Sequence, residues 1–159
     1  MKIRVGFGYD VHPLEEGKDL WLGGIKIPHS KGAVGHSDAD TLIHAICDAL
    51  LGASNLGDIG IHFPNTSNEF KGIDSKILLK NVVALLKKEG YEIGNVDCTV
   101  CLEVPKIMSY FPEIKKILAD IMHIPIKNIS VKATTTEKLG FVGREEGLCA
   151  HAVCLLMGY

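Results

Sequence analysis

Apolar and polar positions along the chain alternate between two periods, and that alternation predicts a mixed set of strands and helices. Residues 2–9 alternate as a strand, with Asp10 and His12 at its end. Residues 20–27 (Leu-Trp-Leu-Gly-Gly-Ile-Lys-Ile) read as a second strand bulged at the glycine pair, and 28–36 as a glycine-containing loop. The spacing then becomes helical. Leu42, Ile43, Ile46, Ala49, Leu50 and Ala53 share one face of a helix expected to start at Asp38, with Ser37 as its N-cap, and to end near Asn55–Gly57. Residues 57–73 form a long irregular segment of the kind that often carries function. An amphipathic helix follows over 75–89 and stops at Gly90. Residues 95–104 alternate again, with Val96, Cys98, Val100, Leu102 and Val104 on one face. A helix over about 110–122 and strands over 128–135 and 147–157 complete the order. The fold class expected is α+β: a single domain spanning 1–159, built as a sandwich of one mixed β-sheet with helices on one face.

Composition adds exclusions. The 159 residues are enough for one ordinary core, and a formal net charge of -2 without a basic block carries no nucleic-acid footprint. No apolar run is long enough for a membrane span or a signal peptide, which points to a cytoplasmic protein with neither membrane nor nucleic acid as partner. The five cysteines fall mostly on apolar-patterned elements and read as small hydrophobes in a reducing compartment. Cys98 and Cys101 share a strand but face opposite sides, so the C-x-x-C spacing is not read as a metal pair. His29, His62, His123 and His151 lack partners at ligand spacing and read as structural or surface residues.

The candidate chemistry gathers at two places. Asp10 and His12, two apart on a strand, point the same way. Asp40, His44 and Asp48 form one stripe down the first helix, which taken alone also fits a solvated polar face. Together Asp10, His12 and His44 offer two imidazoles and a carboxylate, the donor set of a catalytic Zn²⁺ site with an open position, and Asp48 or Asp40 is placed to orient an imidazole. The start of that helix, with His36 and Ser37 beside it, suits a phosphate. The second place is the run Lys132–Lys138, where Thr134, Thr135 and Thr136 offer hydroxyls and Glu137 a hard oxygen for Mg²⁺. Arg144, after a glycine-flanked Phe141, is an anion contact.

These motifs resemble, nearly end to end, the 2-C-methyl-D-erythritol 2,4-cyclodiphosphate synthases of non-mevalonate isoprenoid synthesis. The matching runs are Gly8–His12, Gly35–His44, Asp48–Ala53, Gly57–Gly60, Val131–Phe141 and Gly143-Arg144. The resemblance implies a homotrimer with active sites between subunits. It implies a phosphorylated CDP-alcohol substrate whose 2-phosphate attacks the β-phosphorus and expels CMP. It assigns Asp10, His12 and His44 to Zn²⁺ or another divalent transition metal, Glu137 to Mg²⁺ or Mn²⁺, and His36 and Thr135 to transition-state stabilisation. Asp58, Ile59 and Gly60 match the methylerythritol-binding turn, and Pro105 and Lys106 the wall of a cytosine pocket. One departure stands in the loop Phe63-Pro64-Asn65-Thr66-Ser67, where the family commonly has aspartates at the positions of Asn65 and Ser67; a less acidic, more mobile lid with retained activity is expected. A metal-dependent phosphohydrolase and a non-catalytic trimeric isoprenoid-phosphate binder are the competing readings. The latter would place Phe141 and Arg144 at the mouth of a central cavity.

Overall fold

The computed structural model describes residues 1–159. Five strands form one sheet in the order β4-β1-β7-β5-β6. The strands are β1 (Lys2–Glu16), β4 (Lys31–Ala33), β5 (Tyr91–Cys101), β6 (Ile129–Thr134) and β7 (Gly147–Gly158). Only β5 and β6 pair in parallel, joined by the crossover helix α4 (Phe111–Met122); the other ladders are antiparallel. A separate hairpin, β2 (Leu20–Leu22) with β3 (Ile25–Ile27), stands apart from the sheet. The helices α1 (Thr41–Ala53), α3 (Ser75–Lys88) and α4 cover one face, and the core lies between them and the sheet. Two one-turn helices, α2 (Ile59–His62) and α5 (Gly140–Gly143), lie in connections. No helix is long and apolar enough to cross a membrane.

Several boundaries move from those the sequence pattern predicts. β1 runs on to Glu16, so Asp10 and His12 lie within the strand, because Lys2–Pro13 pairs continuously with β7. The Gly23-Gly24 pair is a turn between two strands rather than a bulge in one: both glycines take positive φ, 61° and 86°, which reverses the chain. The loop over 28–36 contains β4, paired to the far end of β1. The first helix starts three residues late, at Thr41, because Asp40 rather than Ser37 is the N-cap and accepts from the Ile43 N–H at 3.0 Å.

β1 is an alternating strand with unlike faces. Gly6 and Gly8 face α1, and a Cβ on Gly8 would lie 1.9 Å from the Ala45 carbonyl oxygen. Glycine there lets the helix backbone rest directly on the strand, which brings His44 level with Asp10 and His12. The opposite face carries Ile3, Val5, Phe7, Tyr9 and Val11, with Val5 67% and Phe7 62% exposed. A contiguous apolar stripe of this kind on a sheet marks a surface meant to be covered.

Candidate metal centre

Asp10 and His12 leave β1 on the α1 side and meet His44, one turn into α1. Asp10 Oδ2 lies 2.8 Å from His12 Nε2 and 3.2 Å from His44 Nδ1, and the two ring nitrogens are 3.3 Å apart. Three donor atoms thus converge on one point. The remaining ring nitrogens are tied elsewhere. His12 Nδ1–H donates to the Val34 carbonyl at 2.9 Å, so Nε2 is the free donor. His44 Nε2 lies 2.9 Å from Ser75 Oγ and 3.1 Å from Ser37 Oγ. The Ser75 hydroxyl donates to Asp38 Oδ1 and must therefore accept from His44 Nε2–H, which leaves the Nδ1 lone pair directed at the cluster. Both imidazoles are held in the tautomer that a metal requires. With two neutral nitrogens, one carboxylate and an open side, the residues fit a divalent ion of the zinc type.

Electrostatics agree. Burial pushes the Asp10 carboxyl up, but hydrogen bonds and charge from His12 and His44 outweigh it and hold it below the ordinary carboxylate range. Burial pulls His12 down, and the Asp10 carboxylate with the Val34 carbonyl lifts it above the ordinary imidazole range. A site already shaped by a carboxylate toward positive charge is suited to a cation.

The stripe Asp40–His44–Asp48 divides by role. Asp40, fully buried, caps α1 and accepts from the Gly23 and Gly24 N–H groups at 3.0 and 2.8 Å; it anchors the hairpin and touches no imidazole. Asp48 does not orient a ligand imidazole either; it accepts from the Ile59 N–H at 2.8 Å and so positions the Asp58–Gly60 turn. The orienting groups are instead Val34, Ser37 and the Ser75–Asp38 pair. Ser75 lies 31 residues from His44, beyond the reach of any local periodicity.

Around the triad opens a cavity of about 500 Å³, lined among others by Asp10, His12, His36, Ser37, His44, Asp48, Asp58, Ile59, Gly60, Phe63 and Asn65. The long segment 57–73 is its wall, partly ordered as α2 and a single 3-10 turn, Asn68–Phe70. His36 Nε2–H donates to the Ser67 carbonyl at 2.9 Å, and the Ser67 hydroxyl accepts from the Glu69 N–H. This anchorage uses a backbone carbonyl and a hydroxyl, so it needs no carboxylate at position 67. Pro64 and Thr66 belong to the same loop without lining the cavity.

Thr134, Thr135, Thr136 and Glu137 stand elsewhere. Thr134 ends β6 and the other three follow it, at the sheet edge, three strands from β1, which is about 14 Å across the ladder. The Leu102 N–H bonds the Thr134 carbonyl at 3.0 Å and the Thr136 N–H bonds Glu103 Oε2 at 3.3 Å, so this turn and the Pro105-Lys106 loop form one second cluster. Glu137 and Lys138 both take positive φ, 53° and 62°, a strained arrangement for two successive non-glycine residues. Arg144 pairs with Glu146 at 2.7 Å in solvent, with Phe141 three residues before it.

Residues 3–157 match the YgbB family. The 2-C-methyl-D-erythritol 2,4-cyclodiphosphate synthase of Phocaeicola vulgatus is 62% identical over 156 residues, 98% of both chains. The bifunctional IspDF of Campylobacter jejuni superposes with a TM-score of 0.95 at 39% identity, over 99% of this chain and 43% of that longer one. The CDP complex of the Plasmodium falciparum IspF superposes with a TM-score of 0.86 at 39% identity, over 98% and 96% of the two chains. On sequence and fold alike, the chain belongs to the YgbB family.

Proposed function

We infer that the chain converts 4-diphosphocytidyl-2-C-methyl-D-erythritol 2-phosphate into 2-C-methyl-D-erythritol 2,4-cyclodiphosphate and CMP, a phosphorus–oxygen lyase step of non-mevalonate isoprenoid precursor synthesis. The observation that carries this reading is the Asp10–His12–His44 triad opening into a cavity walled by His36 and the Asp58–Gly60 turn, in a chain 62% identical to a curated synthase.

The 2-phosphate oxygen attacks the β-phosphorus, the bond from that phosphorus to the oxygen bridging the α-phosphate breaks, and its electron pair leaves on CMP. The nucleophile is already an anion and needs no strong base; the barrier is repulsion between phosphates and the improbability of a bent substrate. When bound, a divalent ion on Asp10, His12 and His44 supplies Lewis acidity to a phosphate oxygen, and Mg²⁺ or Mn²⁺ on Glu137 supplies charge neutralisation toward the leaving group. The Asp58–Gly60 turn, set by Asp48, holds the methylerythritol hydroxyls. Thr135 donates its hydroxyl to a phosphate oxygen as charge shifts, and His36 does so by turning its N–H from the Ser67 carbonyl to the substrate. Pro105, Lys106, Thr134 and Thr136 line the nucleotide end, and Arg144 with Phe141 supplies a further anion contact. The CDP complex of the Plasmodium falciparum relative supports a cytidine nucleotide as part of the ligand.

The active form is a homotrimer in which the Thr135–Glu137 turn of one subunit completes the triad cavity of its neighbour. Two features support it: the strand-width separation of the two clusters within one chain, and the uncovered apolar stripe of β1. Five free cysteines suit a reducing, cytoplasmic setting.

The test incubates pure protein with the substrate and Mg²⁺, with and without a chelator, and follows products by ³¹P NMR. Cyclic diphosphate with equimolar CMP supports the reading. Linear phosphates would make it a phosphohydrolase, and absence of CMP under every condition would leave a binding protein.

A further inference from the structure

The face of the sheet away from α1 carries a second group of ligand-type side chains, which shares no residue with the first. Cys149 and His151, two apart on β7, point the same way. The register sets Cys101 of β5 directly opposite Cys149, and Tyr9 of β1 directly opposite His151. The two thiol sulfurs and a ring nitrogen lie within 4.8 Å of one another, with Cys149 Sγ 4.0 Å from His151 Nε2. The Tyr9 ring packs against the imidazole, centroids 5.1 Å apart, and walls one side. Cys149 is 6% exposed, while Cys101 and His151 are half-buried, so the donors are sheltered but reachable.

We propose that Cys101, Cys149 and His151 form a second metal site, selective for a thiophilic dication such as Zn²⁺ and separate from the Asp10–His12–His44 centre. Tetrahedral zinc holds two thiolate sulfurs and one imidazole nitrogen about 3.5–3.8 Å apart, so these side chains need close by only about 1 Å. That lies within ordinary side-chain adjustment on two strands already paired. The two sites differ in chemistry: two sulfurs and a nitrogen here, two nitrogens and an oxygen there. Binding forms two S–Zn bonds and one N–Zn bond and sends the two thiol protons to solvent, with no change in oxidation state. The fourth position points to the side of the sheet that the proposed assembly covers, where water or a group of a neighbouring copy can complete it. A bound ion would clamp β5 to β7 on the face that the proposed assembly covers.

The experiment titrates the reduced, metal-stripped full chain with Co²⁺ alone, and in parallel measures zinc content after dialysis against Zn²⁺. Without substrate phosphates to complete the Glu137 position, two equivalents per chain are expected, one of which brings thiolate-to-cobalt charge-transfer absorption. Cys149→Ser, and Cys101→Ser with Cys149→Ser, should lose that band and one equivalent while keeping the other equivalent and CMP release. His151→Gln should weaken the sulfur-bound equivalent at least tenfold. One equivalent without the band in the unaltered chain, or a band that survives in the double serine variant, overturns the proposal. If the serine variants fail to fold, zinc-edge absorption on the unaltered chain at two equivalents decides: sulfur neighbours at about 2.3 Å uphold the site, and nitrogen and oxygen neighbours alone refute it.

Discussion

The His44 imidazole is held by groups that the metal itself does not touch, and removing them should weaken the metal without unfolding the protein. Ser75 Oγ accepts from His44 Nε2–H at 2.9 Å and Ser37 Oγ shares the same proton at 3.1 Å. Ser75→Ala removes the shorter bond and leaves the longer one. Loss of a partner that orients a ligand costs about 10–100-fold in metal affinity, so the single variant should sit near tenfold and Ser37→Ala with Ser75→Ala near a hundredfold, about 1.4 and 2.7 kcal/mol. Folding stability should fall by only about 1 kcal/mol for Ser75→Ala, because the alanine N–H still donates to Asp38 Oδ2 and Asp38 Oδ1 keeps the Asp40 N–H. The assay is zinc competition against a chelator in a Cys149→Ser background, so that thiolates do not contribute, with urea unfolding of the metal-free chain as control. The rate at saturating zinc should return close to that of the unaltered chain. A double variant that folds normally and binds zinc within twofold of the parent would refute the claim that these hydroxyls set the tautomer.

Gly8→Ala should separate α1 from β1, since its Cβ would meet the Ala45 carbonyl oxygen at 1.9 Å; a loss of about 1–3 kcal/mol in urea unfolding and a weaker metal site are expected together. Mixing inactive Asp10→Ala and Glu137→Ala subunits and reassembling them should restore about a quarter of the parent rate if each site joins Asp10 of one subunit to Glu137 of its neighbour, and none if each chain is self-sufficient. In the metal-free chain the Asp10–His12 pair stabilises only while Asp10 is ionised and His12 protonated. The lowered Asp10 contributes above the ordinary carboxylate range and loses its share as pH falls through its depressed value; the raised His12 contributes below the ordinary imidazole range and loses its share as pH rises through its elevated value. The melting-temperature gap between parent and Asp10→Asn should therefore peak in mildly acidic solution and shrink on both sides, which a pH series of thermal melts checks. Asn65→Asp should change kcat/KM by less than about tenfold, because His36 already anchors the lid on the Ser67 carbonyl; a larger gain would mean that the loop is impaired as it stands.

Local pattern determined a good part of this molecule. Helices α3 and α4 and strands β6 and β7 stand within about two residues of the periods that predict them, because an amphipathic face announces itself within a few turns. The triad was legible for the same reason: a two-residue spacing on a strand and a polar stripe on a helix are local statements. Other features depended on partners far away in sequence. β1 ran on through Pro13 because β7, more than a hundred residues on, was there to pair with it, and from Leu14 to Glu16 because β4 was. Asp40 and Asp48, alike in spacing, took different roles because one met the Gly23-Gly24 turn and the other the Ile59 N–H. Ser75 joined the metal centre only when α3 packed against α1. Cys101 and Cys149, read as small hydrophobes, and His151, read as structural or surface, became neighbours of one another and of Tyr9 through the register of three strands. Spacing along the chain fixes which way a side chain points. Which other side chain it meets is set by hydrogen-bonded register and helix docking, and these exist only once the sheet has formed.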